Sequence, residues 1–278
     1  SIITLSIMTE KFNPEDNKKY WNEFAQKIKD DPHGASGSTH LVDIENQFIE
    51  SILQKLKPQS LLDIGCGNGQ RTFLFAKNVS NSVLGIDYSP EMIKIADNTL
   101  LSKNSEIKNK ISFKNLDVNL LPEKNYDVIV SCRCIINQPS SHEQKKLIFS
   151  LSKCLKSGGS LILAEISKEG MKNLNSIREK YGLSVMNDRW HNLHIDEKFV
   201  FESLEELFEI KEVQRAGTFY FISRVLYPSM ISPKEPSSDH PLNDVALKSE
   251  FLLNNEFVQN NNSLEKFGAH LLMHLIKK

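Results

Sequence analysis

Two rhythms of apolar and polar positions follow one another along the chain. The first is helical. Leu41, Ile44, Phe48, Ile52 and Leu56 fall three or four residues apart, one face of a helix over 40–56 that Lys57-Pro58 stops. Ahead of it, Tyr20, Trp21 and Phe24 share a face of a helix over 14–29, and the Pro, Gly and Ser of 30–38 form a loop. The rhythm then changes to short apolar runs separated by helical stretches. Strands are predicted over 60–64, 83–86, 111–116, 126–131 and 160–164, and helices over 69–78, 89–101 and 143–155. Ser89 is suited to cap its helix, with Pro90 at the first position. The run 126–131 is nearly all apolar and predicts a central strand. Only nine residues, 117–125, join the third strand to the fourth, so no full crossover helix fits there.

Beyond 165 the alternation loosens. Helices are expected over 171–181, 197–208 and 242–257, and strands over 209–214 and 271–276. The stretch 186–194 is irregular and ring-rich, 218–226 is apolar and aromatic around Arg224, and 228–241 is a loop with four prolines. Apolar strands alternating with helices predict an α/β fold: a Rossmann-like, doubly wound, mostly parallel seven-stranded sheet with helices on both faces. Ligands of such a sheet bind beyond the carboxyl ends of the strands. Those ends carry Asp63, Asp87, Asp117, Ser131 with Arg133, and Glu165.

Bulk properties narrow the partners. The 278 residues hold 34 Lys and Arg against 35 Asp and Glu, so no global field draws the chain to nucleic acid or anionic lipid. Four cysteines at odd spacings make neither a disulfide framework nor a zinc set, and no metal is expected. Ile2, Ile3, Leu5 and Ile7 form too short a run to span a bilayer, and Met8 is a possible internal start. A cytoplasmic monomer or homodimer without membrane insertion is expected.

The chemistry centres on Leu61-Leu62-Asp63-Ile64-Gly65-Cys66-Gly67-Asn68-Gly69. Glycines at every second position let the backbone bend sharply and let a ligand approach the main chain. A dinucleotide turn needs its third glycine where Gln70 stands, and Asp63 suits a cationic ligand better than a pyrophosphate. A purely structural glycine turn is the bland alternative. The string resembles the first motif of class I S-adenosylmethionine-dependent methyltransferases, which implies that donor as cofactor and S-adenosylhomocysteine as its product. On that resemblance the chain divides into a helical lid (10–58), a cofactor core (59–165) and an acceptor-side cap with the last strands (166–278). The cap would be built from the N-terminal helix and the 166–200 and 217–262 insertions.

Asp87 ends the second strand eighteen residues past Gly69, where a carboxylate accepts hydrogen bonds from ribose hydroxyls. Nicotinamide enzymes share that feature, so a nicotinamide-dependent oxidoreductase is the competing class. The resemblance places Asp117 and Val118 at the adenine, against a helix-capping role for Asp117. Tyr88 and Met92 are expected to flank the ring, Tyr20 and Trp21 to close over the cofactor or pack in the core. Asp63, Gly65, Gly67, Asn68 and Ser131 complete the expected donor contacts.

For the acceptor, Arg133, Trp190, Tyr220 and Arg224 are the candidates, with the carboxylate of the donor's methionine moiety as the alternative ligand of Arg133. Arg133, Ile136-Asn137, 155–159, Glu165, 173–178, Trp190-His191-Asn192 and 218–224 together resemble a bacterial methyltransferase family associated with surface-polysaccharide synthesis. That resemblance implies O-methylation of a sugar, sugar nucleotide or other glycan precursor. A hydroxyl acceptor needs a base, for which His191 comes first, His194 second and Glu165 third. A carboxylate or phosphate acceptor needs none and would lean on the arginines; an amine is a further alternative. A histidine in a loop is also commonly a hydrogen-bonded filler.

Overall fold

The computed structural model describes residues 11–33, 38–121, 124–253 and 263–278. Two helices lead, Pro14–Ile28 (α1) and Thr39–Leu56 (α2). Then come Ser60–Ile64 (β1), Gln70–Ala76 (α3), Ser82–Asp87 (β2), Pro90–Leu101 (α4), Ser105–Lys110 (α5), Ile111–Asn115 (β3), Tyr126–Cys132 (β4), Ser141–Lys153 (α6) and Leu155–Ile166 (β5). The last part is Lys168–Lys180 (α7), Glu197–Leu204 (α8), Phe208–Arg215 (β6), Gly217–Phe221 (α9), Tyr227–Ile231 (α10), Pro241–Leu252 (α11) and His270–Lys277 (β7).

The strands form one seven-stranded sheet in the order β3-β2-β1-β4-β5-β7-β6. All neighbours are parallel except β7, which runs antiparallel to both β5 and β6. This is the Rossmann-like, mostly parallel α/β sheet that the alternation predicts. Successive residues of a strand feed opposite faces. Leu61, Val128, Val130 and Leu272 pack with Phe48, Ile49, Leu53 and Phe219 on one face. Leu62, Ile129, Met273 and Leu275 pack with Leu147, Ile148 and Leu151 on the other. Among the described residues no helix is long and apolar enough to cross a membrane.

Caps set several boundaries where the residue types require them. Ser89 accepts from Met92 N at 3.2 Å with Pro90 next, and Ser140 accepts from Glu143 N at 3.2 Å. Lys57 takes a left-handed conformation before Pro58, ending α2. Ser167 accepts from Gly170 N at 2.8 Å, which starts α7 earlier than the expected 171.

Other expectations need correction. The short α5 buries no residue, so it has no apolar stripe to announce it; Asn104 caps it, accepting from Ile107 N at 3.0 Å. Phe208 opens β6 and does not end α8, because the sheet buries it completely. Lys156–Gly159 lies inside β5, where the pairing with β4 is irregular between Tyr126 and Val128. Residues 217–231 run as helix throughout, α9 and α10 being joined by a π-helical turn at Ile222–Leu226, so the loop expected from 228 begins only after Ile231. The end of the helix expected over 242–257, the last part of the 217–262 cap and the apolar stretch 2–7 lie outside the described residues.

Candidate active site

The turn after β1 bends through three left-handed glycines, Gly65 (φ 64°), Gly67 (φ 54°) and Gly69 (φ 78°). Two of them are also sterically fixed. A Cβ on Gly65 would meet the Cys134 side chain at 2.8 Å, and one on Gly69 the Phe113 ring at 2.7 Å. A Cβ on Gly67 would meet nothing within 4 Å. That side of the turn is open, and Gly67 lines a cavity of about 610 Å³ beyond the carboxyl ends of β1, β2 and β4. Small-molecule sites are commonly of this size.

Asp87 fixes the turn from the end of β2. Its Oδ2 accepts from Gly67 N and its Oδ1 from Ser89 N, both at 2.9 Å. Burial pushes its carboxyl up to about 6, against the pull of those two N–H donors. The carboxylate therefore ties the glycine turn to the cap of α4 and stands on the cavity wall.

Helix α1 lies over this cavity and is held at three points. Asn68 donates to Lys29 O at 3.0 Å and to Asp31 O at 2.9 Å. Ser89 donates to Asn22 Oδ1 at 2.6 Å, and Trp21 Nε1 donates to Asn137 Oδ1 at 3.2 Å. Asn68 is thus a strut between turn and helix as well as a cavity residue.

The sequence candidates divide. Asp63, Gly65, Gly67, Asn68, Asp87, Tyr88 and Met92 line the cavity, as do Asp117, Val118, Arg133 and His191. Asp63 is nonetheless engaged, accepting from Thr72 Oγ1 at 2.6 Å. Asp117 also caps a short 3-10 turn, accepting from Asn119 N at 2.8 Å. The Tyr88 hydroxyl is buried without a hydrogen-bond partner among the described residues.

Tyr20, Ser131, Glu165, Trp190, His194, Tyr220 and Arg224 do not line it. Trp21 is the α1 aromatic on the cavity, while Tyr20 stacks behind on His191, ring centres 4.4 Å apart. Trp190 is 48% exposed and packs edge-on against Phe12 and Tyr20. His194 pairs with Asp188 at 3.2 Å. Tyr220 reaches His270, and Arg224 covers the Phe219 ring.

Glu165, expected as a base, serves instead as an anchor. It is fully buried and accepts from Ser131 Oγ at 2.5 Å and from the N–H groups of Cys134, Ile135 and Ile136 at 3.1–3.2 Å. These contacts hold the loop that follows β4, and with it Arg133. Arg133 is a non-glycine residue at φ 56°, a conformation that costs on the order of 1–2 kcal/mol. Its N–H donates to Ala164 O at 2.8 Å, and its carbonyl accepts from Asn137 Nδ2 at 2.7 Å.

His191 is 2% exposed, and its Nδ1 has no hydrogen-bond partner among the described residues. Burial first, then Arg189 and Lys11, push its pKa down to about 4. It is a neutral imidazole at physiological pH, an acceptor that resists protonation.

Several cavity residues lie outside the sequence candidates: Arg71, Asn137, Gln138, Arg189 and Asn192. Arg71 directly follows the glycine turn and Gln70, a position that marks it as near any ligand of the turn. Gln138 has no local signal of its own, whereas Arg189 and Asn192 flank His191 in the ring-rich stretch 186–194.

Residues 55–208, more than half of the chain, match the family model described as a methyltransferase domain. Phosphoethanolamine N-methyltransferase of Triticum aestivum is 25% identical over 176 residues, 58% of this chain and 33% of that protein. Malonyl-[acyl-carrier protein] O-methyltransferase of a Paenibacillus species is 30% identical over 147 residues, 51% of each chain. The chain thus spans about half or less of the length of these curated relatives. Among solved structures, magnesium protoporphyrin IX methyltransferase from Synechocystis with bound S-adenosylhomocysteine superposes with a TM-score of 0.59. That match has 16% identity and covers 96% of this chain and all of the other, a likeness of fold. With 55–208 on the family model and the glycine turn at its ligand cavity, the chain belongs to the methyltransferase-domain family.

Proposed function

We propose that this chain transfers a methyl group from S-adenosylmethionine, the donor of its family, to an oxygen of a small polar acceptor. The observation that carries the reading is the glycine turn: open to the cavity at Gly67, and bound through the Gly67 N–H to the carboxylate of Asp87. A donor of this class supplies a sulfonium-activated methyl group. The chain supplies binding and alignment. The bare backbone at Gly67 admits close approach. Asp87 has lone pairs left for the two ribose hydroxyls, and Tyr88, Met92, Asp117 and Val118 lie where an adenine would rest.

Of the cavity residues, His191, Asn137, Gln138, Arg189 and Asn192 are left to serve the acceptor in this reading. The neutral imidazole of His191 accepts a hydrogen bond from an acceptor hydroxyl and orients it toward the methyl group. With its pKa near 4 it is a weak base, so its contribution is alignment more than proton removal. A sugar or sugar nucleotide, as the narrower resemblance implies, offers several such hydroxyls. Arg189 favours a second reading, a carboxylate or phosphate acceptor that needs no base. Four free thiols fit a reducing compartment such as the cytoplasm.

The test is methyl transfer from labelled S-adenosylmethionine to a panel of hydroxyl-only sugars, sugar nucleotides and small carboxylates. Transfer to carboxylates alone replaces the hydroxyl reading with the second. Binding of NADH without binding of S-adenosylhomocysteine overturns both.

A further inference from the structure

The half-buried arginines of this chain differ in what balances them. Arg71 and Arg133 share the buried carboxylate of Glu45, on α2. Its Oε2 accepts from Arg71 Nη1 at 2.7 Å, and its Oε1 lies 3.4 Å from Arg133 Nε and 2.9 Å from His270 Nε2. Arg178, in the last turn of α7, and Arg224, in the π-helical turn between α9 and α10, have no such acid. Both are half-buried, and no carboxylate among the described residues acts on either.

These two arginines lie against each other. Arg178 Nε donates to Ser184 O at 2.9 Å and its Nη1 to the carbonyl of Arg224, which fastens the end of α7 to the π-helical turn. Arg224 makes one long contact, from Nη1 to Ser223 O at 3.5 Å, and lies over the Phe219 ring. The remaining nitrogens, Arg178 Nη2 and Arg224 Nε and Nη2, are not shut away from solvent as Arg71 Nε and Nη2 are. Burial pushes both guanidinium groups below their ordinary value, and Arg178 is pushed further by the like charge of Arg224. The Tyr220 hydroxyl offsets this at Arg224 only in part. Half-buried like charges with spare N–H donors and no counterion cost stability as they stand. The turn that carries Arg224 is itself of a rare kind that concentrates at functional sites.

We propose that Arg178 and Arg224 form a binding site for a phosphate group, apart from the donor cavity, which neither residue lines. A phosphate monoester carries close to two negative charges near neutrality and three acceptor oxygens. That matches two uncompensated guanidinium groups, where one carboxylate would answer a single charge. Arg178, already held by two carbonyls, presents its free Nη2 in a set direction, and Arg224 supplies the adaptable side. A sugar phosphate would have its phosphate held here while it offers hydroxyls for methyl transfer. That link rests on the proposed function, whereas the phosphate site stands without it.

The test is calorimetry on the full chain with inorganic phosphate and with glucose 1-phosphate, each under saturating S-adenosylhomocysteine so that the donor cavity is filled. Arg224→Gln is expected to weaken both about tenfold. Arg224→Lys, which keeps the charge and loses the planar fork, should weaken them about threefold. Affinity for S-adenosylhomocysteine should stay within about twofold in both variants, a control that a general loss of structure would fail. Arg189→Gln, in the cavity wall, should leave phosphate binding unchanged. Tighter binding of glucose 1-phosphate than of inorganic phosphate marks a phosphorylated sugar as the ligand, and equal binding marks free phosphate. Phosphate binding that survives Arg224→Gln, or that only Arg189→Gln removes, overturns the site, as does wild-type protein that binds neither probe. If thermal melting shows that Arg224→Gln does not fold, the comparison is made on Arg224→Lys and Arg178→Lys: a loss of phosphate affinity at unchanged melting temperature supports the site, and no loss removes it. Wild-type protein that binds phosphate and not S-adenosylhomocysteine marks a different failure, that of the donor reading.

Discussion

Burial moves Asp87 and His191 in opposite directions, and each shift sets the pH range over which its group can accept a hydrogen bond. Asp87 is pushed up to about 6, so near neutrality it is ionised and accepts hydroxyl hydrogen bonds. The sign follows: donor affinity is full above about 6 and falls as the pH drops through it, by up to about tenfold per pH unit. Calorimetric titration of S-adenosylhomocysteine from pH 8 to pH 5 checks this. Asp87→Asn should lower the affinity about 10- to 100-fold at pH 8 and flatten the acid limb. His191, pushed down to about 4, stays neutral throughout that range. His191→Ala is expected to slow turnover about tenfold with donor affinity within about twofold, and the wild-type kcat at saturating donor should show no inflection at the ordinary histidine value near 6.5. Steady-state kinetics across pH separate the two effects. Glu165 shows how far residue type alone can mislead. A glutamate at a strand end looks like a base, yet four donors around its carboxylate make it the anchor of the Arg133 loop.

At the scale of elements, α1 is the part most open to test. Its apolar face and the start of the helix at Pro14 are written in the chain, but what it covers depends on side chains well outside it. Asn68, Ser89 and Asn137 supply the ties, from β1–α3, β2–α4 and the loop after β4. Asn68→Ala removes two of the hydrogen bonds and should loosen α1 without disturbing the sheet. Donor affinity is expected to fall about 3- to 10-fold. In a Trp190→Phe background, Trp21 fluorescence should shift toward that of a more exposed indole. An unchanged spectrum would mean that the remaining ties hold the helix in place. The strand–helix alternation was legible because each element buries an apolar stripe or run of its own period. The short α5 and the early start of β5 were not, since α5 buries nothing and the glycines at 158–159 look like a loop, lying in the irregular stretch of β5 between the pairings of Leu155 and Ser160 with β4.

For the whole molecule, donor binding and folding are linked. At about 100 times its dissociation constant, S-adenosylhomocysteine should stabilise the native state by about 2.7 kcal/mol and raise the melting temperature by several degrees. NADH should leave it unchanged. Differential scanning fluorimetry with both ligands reads the distinction between the two cofactor classes that the glycine spacing and Asp63 drew.

By itself the sequence determined the α/β class, the glycine turn and the carboxylate at the end of β2, because these depend on residues close together in the chain and on backbone sterics. Only the tertiary structure decided that β7 inserts antiparallel between β5 and β6. It also chose Trp21 over Tyr20 for the cavity wall and gathered Glu45, Arg71, Arg133 and His270 behind it. The physical reason is common to all three. A periodic pattern fixes which face of an element is buried, whereas the partner of a buried charge is fixed by which elements the sheet order sets side by side.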